Sequence, residues 1–175
     1  MRTCKSCNAP IGDGDIFCSA CGQRQAERRS QVFGRKNLRE AEFIAKINEW
    51  FAMYPQVANV TCEFDLGYGL GALVNRRVLN ALAIQYETLS GTNLYQYGLV
   101  HLQNFGLVQK DLDKMLKQWQ QANPEAVVIK TVGGVCQRGD PLSLALGGVM
   151  ATNRMQLYVF FKFNRQTGTA EKCKS

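Results

Sequence analysis

From position 43 the apolar side chains recur at intervals of three and four. Phe43, Ile44, Ile47, Trp50, Phe51 and Tyr54 share one face of a helix, with polar residues on the other. Asn37, followed three residues later by Glu40, supplies a capping arrangement at its start, and Pro55, which cannot continue the hydrogen-bond ladder, ends it. The same rule predicts a second helix. Leu112, Met115, Leu116 and Trp119 form an i, i+3, i+4, i+7 stripe, Asp111 and Asp113 favour the positive helix start, and Pro124 closes it.

Elsewhere the period changes to two. In VANVTCEF, Val60, Cys62 and Phe64 alternate with Asn59, Thr61 and Glu63. VLNALAIQYE, NLYQYGLVHLQNF, AVVIKTV and MQLYVFFKF complete a set of strand-like runs. Glycine-rich connections follow VANVTCEF and AVVIKTV, and LSGTN is a credible tight turn. In the last run Leu157, Val159, Phe161 and Phe163 are placed toward the helices, leaving Tyr158 and Phe160 on the far side with Tyr95 and Tyr97. An exposed aromatic face of that kind would serve as a docking surface or as half of a homodimer.

Two helices among these runs predict an α+β domain: an antiparallel sheet of about five strands with both helices on one face. Trp119 follows Trp50 by 69 residues, Pro124 follows Pro55 by the same 69, and that shift also pairs Phe43 with Leu112 and Ile47 with Leu116. The pattern reads as a pseudo-duplicated helix–strand–strand unit.

Composition agrees with a folded domain. The 175 residues are 46% hydrophobic and 20% charged. No apolar run is long enough to span a bilayer, the N-terminal stretch has no apolar h-region, and seven cysteines are an odd number. Together these predict a cytoplasmic chain without a membrane span.

The chemistry concentrates in CKSCNAPIGDGDIFCSACG, residues 4 to 22. Two C-x-x-C pairs, Cys4 with Cys7 and Cys18 with Cys21, place four soft donors at the spacing of two metal knuckles, and the stretch between is long enough for a short hairpin joining them. The residue after each pair should take a left-handed backbone that turns its amide toward a sulfur. Gly22 does so freely, and Asn8 is the next most tolerant type. One structural Zn2+ is the expected cofactor, and four protein thiolates leave no open position for catalysis. Two disulfides, which a reducing compartment opposes, and a thiolate-bound iron are the other chemistries open to four such cysteines.

The stretch resembles the zinc-ribbon family, through Cys4, Cys7, Ile11, Phe17, Cys18, Cys21 and Gly22. Asn8 departs from the usual glycine, and Lys5 and Ser19 stand where proline is frequent. The resemblance covers residues 4 to 22 only. It implies a bound metal, with nucleic-acid binding, protein binding or simple folding as family roles.

The domain reading is therefore 1–22 zinc ribbon, 23–36 basic polar linker and 37–175 α+β core. The formal charge of +7 is uneven, with Arg24, Arg28, Arg29, Arg35 and Lys36 in or beside the linker as candidate polyanion contacts. Arg76, Arg77 and Arg138 beside the glycine-rich connections are candidates for an anion pocket. The single histidine, His101, sits among apolar neighbours and reads as a hydrogen-bonded core residue. Cys62 reads as a small buried hydrophobe, Cys136 and Cys173 as thiols of undefined role. GYGLG lacks the third glycine position of a dinucleotide site and precedes a strand, and RGD at 138–140 reads as turn chemistry.

These features predict a non-enzymatic protein in which the ribbon recognises a macromolecule and the core is a scaffold or dimerisation unit. Protein ranks ahead of nucleic acid as the partner. A DNA- or RNA-binding regulator is the first alternative. The second is a small-ligand-binding or enzymatic core with the ribbon as accessory.

Overall fold

Both helices form, at Glu40–Met53 (α1) and Gln109–Ala122 (α2), in a computed structural model. It describes residues 2–4, 6–12, 15, 17–23, 28–68, 74–75, 77–89, 92–105, 109–138 and 152–165. In chain order the strands are β1 (Arg2–Thr3), β2 (Pro10–Ile11), β3 (Arg28–Gly34), β4 (Val57–Tyr68), β5 (Val74–Asn75), β6 (Arg77–Thr88), β7 (Tyr95–Phe105), β8 (Ala126–Arg138) and β9 (Thr152–Asn164).

The class is α+β, and all five anticipated runs are strands. They divide between two antiparallel sheets instead of forming one: β3-β6-β4 and β5-β8-β9-β7. In both, a helix leads from an edge strand (β3, β7) to the strand on the far side, and the last strand (β6, β9) returns to the middle. β4 and β8 lie near one another without a ladder; there the Lys130 ammonium donates to the Cys62 carbonyl at 2.8 Å, taking an acceptor that a strand partner would use.

Helix α1 closes the opposite side. Its Trp50 meets Phe33 of β3 edge-on at 5.3 Å, while the Asn48 side chain both donates to the Leu99 carbonyl (3.0 Å) and accepts from the Leu99 amide (2.8 Å) on β7. Phe43, Ile47 and Phe51 point into one core with Leu79, Leu82 and Ile84 of β6 and Tyr97, Leu99, Tyr158 and Phe160 of the second sheet. Fully burying side chains of this size contributes about 1.5–3 kcal/mol each. Helix α2 instead covers the other face of the second sheet, where Leu112 and Met115 meet Leu157, Val159, Phe161 and Phe163. Gly98 permits close packing there, since a Cβ would come within 2.7 Å of the Phe161 ring.

Three expectations change. The two helices lie on opposite faces of the second sheet, so the aromatic face opposite α2 is not a free docking or dimer surface. Tyr158 and Phe160 are fully buried and Tyr97 nearly so, leaving Tyr95 partly open. Residues 28–34, within the stretch read as a linker, pair with β6 from Arg28 opposite Glu87 to Gly34 opposite Ala81, so the polar tether is shorter than its composition suggests. Finally, Asn37 does not cap α1. A turn at 35–38, closed by the Leu38 amide on the Arg35 carbonyl (3.0 Å), delays the helix. Arg39 then takes the cap position, its amide donating to Glu42 Oε2 at 2.9 Å, and Glu40 turns inward.

Candidate metal centre

The two C-x-x-C pairs build matching knuckles. The Asn8 amide donates to the Cys4 carbonyl at 3.0 Å, and the Gly22 amide to the Cys18 carbonyl at 2.7 Å. One residue on, the Cys4 and Cys18 amides donate to the carbonyls of Ala9 (2.8 Å) and Gln23 (2.9 Å). Asn8 and Gly22 take the left-handed backbone anticipated for them, at φ 56° and 70°. Their amides serve carbonyls, however; the sulfurs are reached by neighbouring amides, Ser6 on Cys4 Sγ at 3.3 Å, Ala9 on Cys7 and Gln23 on Cys21. β1 pairs with β2 around the first knuckle, and Ile11 packs on Cys4 and Cys18 as a miniature core.

The four sulfurs lie within 4.8 Å of one another, with Cys4–Cys21 and Cys7–Cys18 at 3.6 Å. A tetrahedron of sulfurs about 2.3 Å from a metal has edges of roughly 3.8 Å, so the donor set can hold an ion. Charge makes the same point. Desolvation opposes ionisation of Cys4, but amide hydrogen bonds from Ser6 and Cys7, with help from the Cys7 and Cys21 thiols, outweigh it and lower that thiol to about 6. At Cys21 the Gln23 amide favours the thiolate, yet Cys7, burial, Cys4 and Cys18 together push it up to about 12. Cys7 is raised too: the Ala9 amide and Cys21 pull it down, and Cys18, Cys4 and burial prevail. Four sulfurs this close resist carrying four negative charges unless a cation sits among them.

Arg28 and Arg29 are exposed at the start of β3, Lys36 is exposed in the turn, and Arg35 Nε is drawn to the Leu38 carbonyl at 2.9 Å. Arg24 and Arg76 lie outside the described residues, as do Cys173 and most of GYGLG and RGD. Of Arg77, Arg138 and Cys136 only the backbone is described. The β5–β8 pairing sets Arg138 opposite Val74, three residues before Arg77. Cys136 pairs with Arg154 whereas His101 pairs with Tyr158, a displacement of roughly 13 Å along β9, so the register does not bring these two residues together.

His101 has a different partner, and with it comes a cluster that sequence reasoning missed. Glu40 of α1 accepts a hydrogen bond from the Tyr158 hydroxyl of β9 and lies 3.3 Å from His101 Nδ1 of β7 through its other oxygen. The Leu79 amide of β6 donates to the same hydroxyl at 3.2 Å, and the imidazole stacks on the Tyr158 ring at 4.4 Å. The carboxylate and imidazole side chains are each 8% exposed. Four elements thus converge on one buried carboxylate, which ties the first turn of α1 to both sheets. No family model matches the chain, and no curated protein or solved structure was found to match it.

Proposed function

We propose that this is a cytoplasmic zinc-ribbon protein that docks a protein partner through its ribbon and performs no catalysis, with the α+β core as the scaffold that carries it. The observation that carries the reading is Phe17: it is 57% exposed, one residue before the buried ligand Cys18. A large apolar side chain held outward by a metal-stiffened knuckle is an anchor for another surface, of the aromatic type that dominates interface energetics. Zinc is favoured because all four donors are thiolates and the sphere is closed. Some 20 residues around Ile11 cannot bury a core of their own, whereas structural zinc supplies roughly 10–16 kcal/mol in small fingers.

Nucleic acid is the second reading, favoured by exposed Arg28 and Arg29 at the start of β3 and exposed Lys36 in the turn that follows it. One experiment separates the two. The full-length protein, checked by elemental analysis for bound zinc, is used as bait beside Phe17→Ser and beside chelator-treated protein. The expected result is a protein partner held by the wild type alone, with Phe17→Ser still carrying zinc. Chelation should unfold residues 1–22 and leave the fluorescence of Trp50 and Trp119, both in the core domain, unchanged. Binding to duplex DNA that weakens steeply with log salt, and is indifferent to Phe17→Ser, would replace this reading by the second.

A further inference from the structure

The four ligands alternate in exposure. Cys4 and Cys18, the first of each knuckle, are buried, whereas Cys7 and Cys21, the second of each, face solvent. Each exposed sulfur lies 3.6 Å from a buried sulfur of the opposite knuckle, Cys7 against Cys18 and Cys21 against Cys4. We propose that Cys7 and Cys21 are oxidation sites for hydroperoxides, each resolving onto its buried neighbour to give crossed Cys7–Cys18 and Cys4–Cys21 disulfides. The outcome removes all four metal donors. It rests on the metal-centre reading given above.

The chemistry balances without a further reagent. A bound cation would hold each exposed cysteine as its thiolate. That sulfur attacks one peroxide oxygen; the S–O bond forms and the O–O bond breaks. Sulfur is oxidised to a sulfenic acid, and the peroxide, reduced by two electrons, leaves as hydroxide or alkoxide. The buried thiolate then attacks the sulfenic sulfur, forming the S–S bond and expelling hydroxide, which a proton converts to water. Each disulfide consumes one hydroperoxide.

Exposure and distance decide which sulfur reacts and with what. Peroxide meets Cys7 and Cys21 first, because Cys4 and Cys18 are covered by the ribbon's own packing around Ile11. Each nascent sulfenic acid then has a sulfur of the other knuckle in contact, and closing from 3.6 Å to the roughly 2.05 Å of a disulfide needs a side-chain movement of little more than a bond length. Paired amide–carbonyl bonds hold each knuckle's backbone meanwhile. Crossed pairing also staples the knuckles to each other, so the ribbon keeps a covalent frame as its metal donors disappear. Cys62 provides an internal contrast. It is buried in the core with α1, so it offers peroxide no access.

The test uses the full-length protein with its zinc content first measured. Hydrogen peroxide is titrated in, released zinc is followed with a chromogenic chelator, and remaining thiols are alkylated. Peptides are then mapped without reduction, since cleavage after Lys5 and before Asp13 separates Cys4, Cys7 and the second knuckle. Zinc release in step with the appearance of the Cys7–Cys18 and Cys4–Cys21 linkages is expected, with Cys62 alkylated only after unfolding. Pairing within the knuckles, Cys4–Cys7 and Cys18–Cys21, would overturn the proposal, and so would retention of zinc and four reduced ligands at peroxide levels that oxidise a free thiol. Absence of zinc from the starting material would sink the metal reading instead, so the two failures are told apart.

Discussion

Helices α1 and α2 are each 14 residues long, each follows an edge strand, each ends two residues before a proline and each keeps one face exposed, yet α1 buries four side chains and α2, among its described residues, two. Trp50 and Trp119 occupy the same place in the two. Trp50 touches four rings, those of Phe33, Phe51, Tyr54 and Tyr86, whereas Trp119 has Phe161 at 4.9 Å. What differs is the kind of side chain beside the apolar stripe. α1 adds two polar groups aimed at the second sheet, Glu40 and Asn48, and its stripe is built from Phe, Ile and Trp; α2 offers Leu112, Met115, Leu116 and Trp119, flanked by exposed lysine and glutamine. Periodicity therefore specifies a helix, while the depth at which it seats depends on the partners that meet its buried face.

The largest expected effect breaks this comparison if it fails. Phe51 is 1% exposed and packs on Tyr97 and Phe160, both at 5.7 Å between ring centroids. Phe51→Ala should destabilise the core domain by about 4 kcal/mol, as large aromatic truncations in a closed core do. Trp119→Ala, on a half-buried residue whose cavity opens to water, should cost about half of that. Urea midpoints of the two variants measure the difference. Equal losses would mean that α1 is no more deeply seated than α2.

A smaller effect tests the polar tie. Tyr158→Phe removes the hydroxyl that donates to Glu40 and accepts from the Leu79 amide, leaving two buried groups short of a partner without changing the ring. A loss of about 2–3 kcal/mol is expected, because an unsatisfied buried group retains its full desolvation penalty. Equilibrium denaturation against wild type reads it directly. A neutral result would leave apolar packing alone to hold α1 in place.

How much of this could be seen in the chain follows from the range of the interactions. The cysteine knuckles were legible because the cysteine spacing and the left-handed residues after each pair are local: Asn8 and Gly22 have the conformation that their positions demanded. Helix stripes are local as well, and both helices stand where the stripes put them. Glu40 was legible only as a capping residue, since its burial is decided by Tyr158, more than a hundred positions away. Arg28–Gly34 hid as a strand because its sequence, RRSQVFG, is polar on both sides of Val32 and Phe33 and draws its order from β6. The last run supports a second reading besides an exposed aromatic face. LYVFFKF is apolar at odd and even positions alike, which marks a strand buried on both faces, and β9 lies between α2 and the core around α1.

The smallest effect sharpens the comparison at a single position. Asn48 and Lys117 are the ninth residues of their helices, and only Asn48 completes a backbone: its amide group bonds both the N–H and the C=O of Leu99, occupying the edge of β7 as a neighbouring strand would. Lys117 is exposed on α2. Asn48→Ala should cost about 1 kcal/mol, since water can replace part of what the side chain supplied. It should also leave the β7 edge open to pairing with another chain. Lys117→Ala should stay within about 0.5 kcal/mol of wild type and remain dispersed. Denaturation midpoints together with light scattering at rising concentration measure both properties. If Asn48→Ala matches Lys117→Ala in each, the Leu99 bonds follow from the seating of α1 and contribute nothing to it.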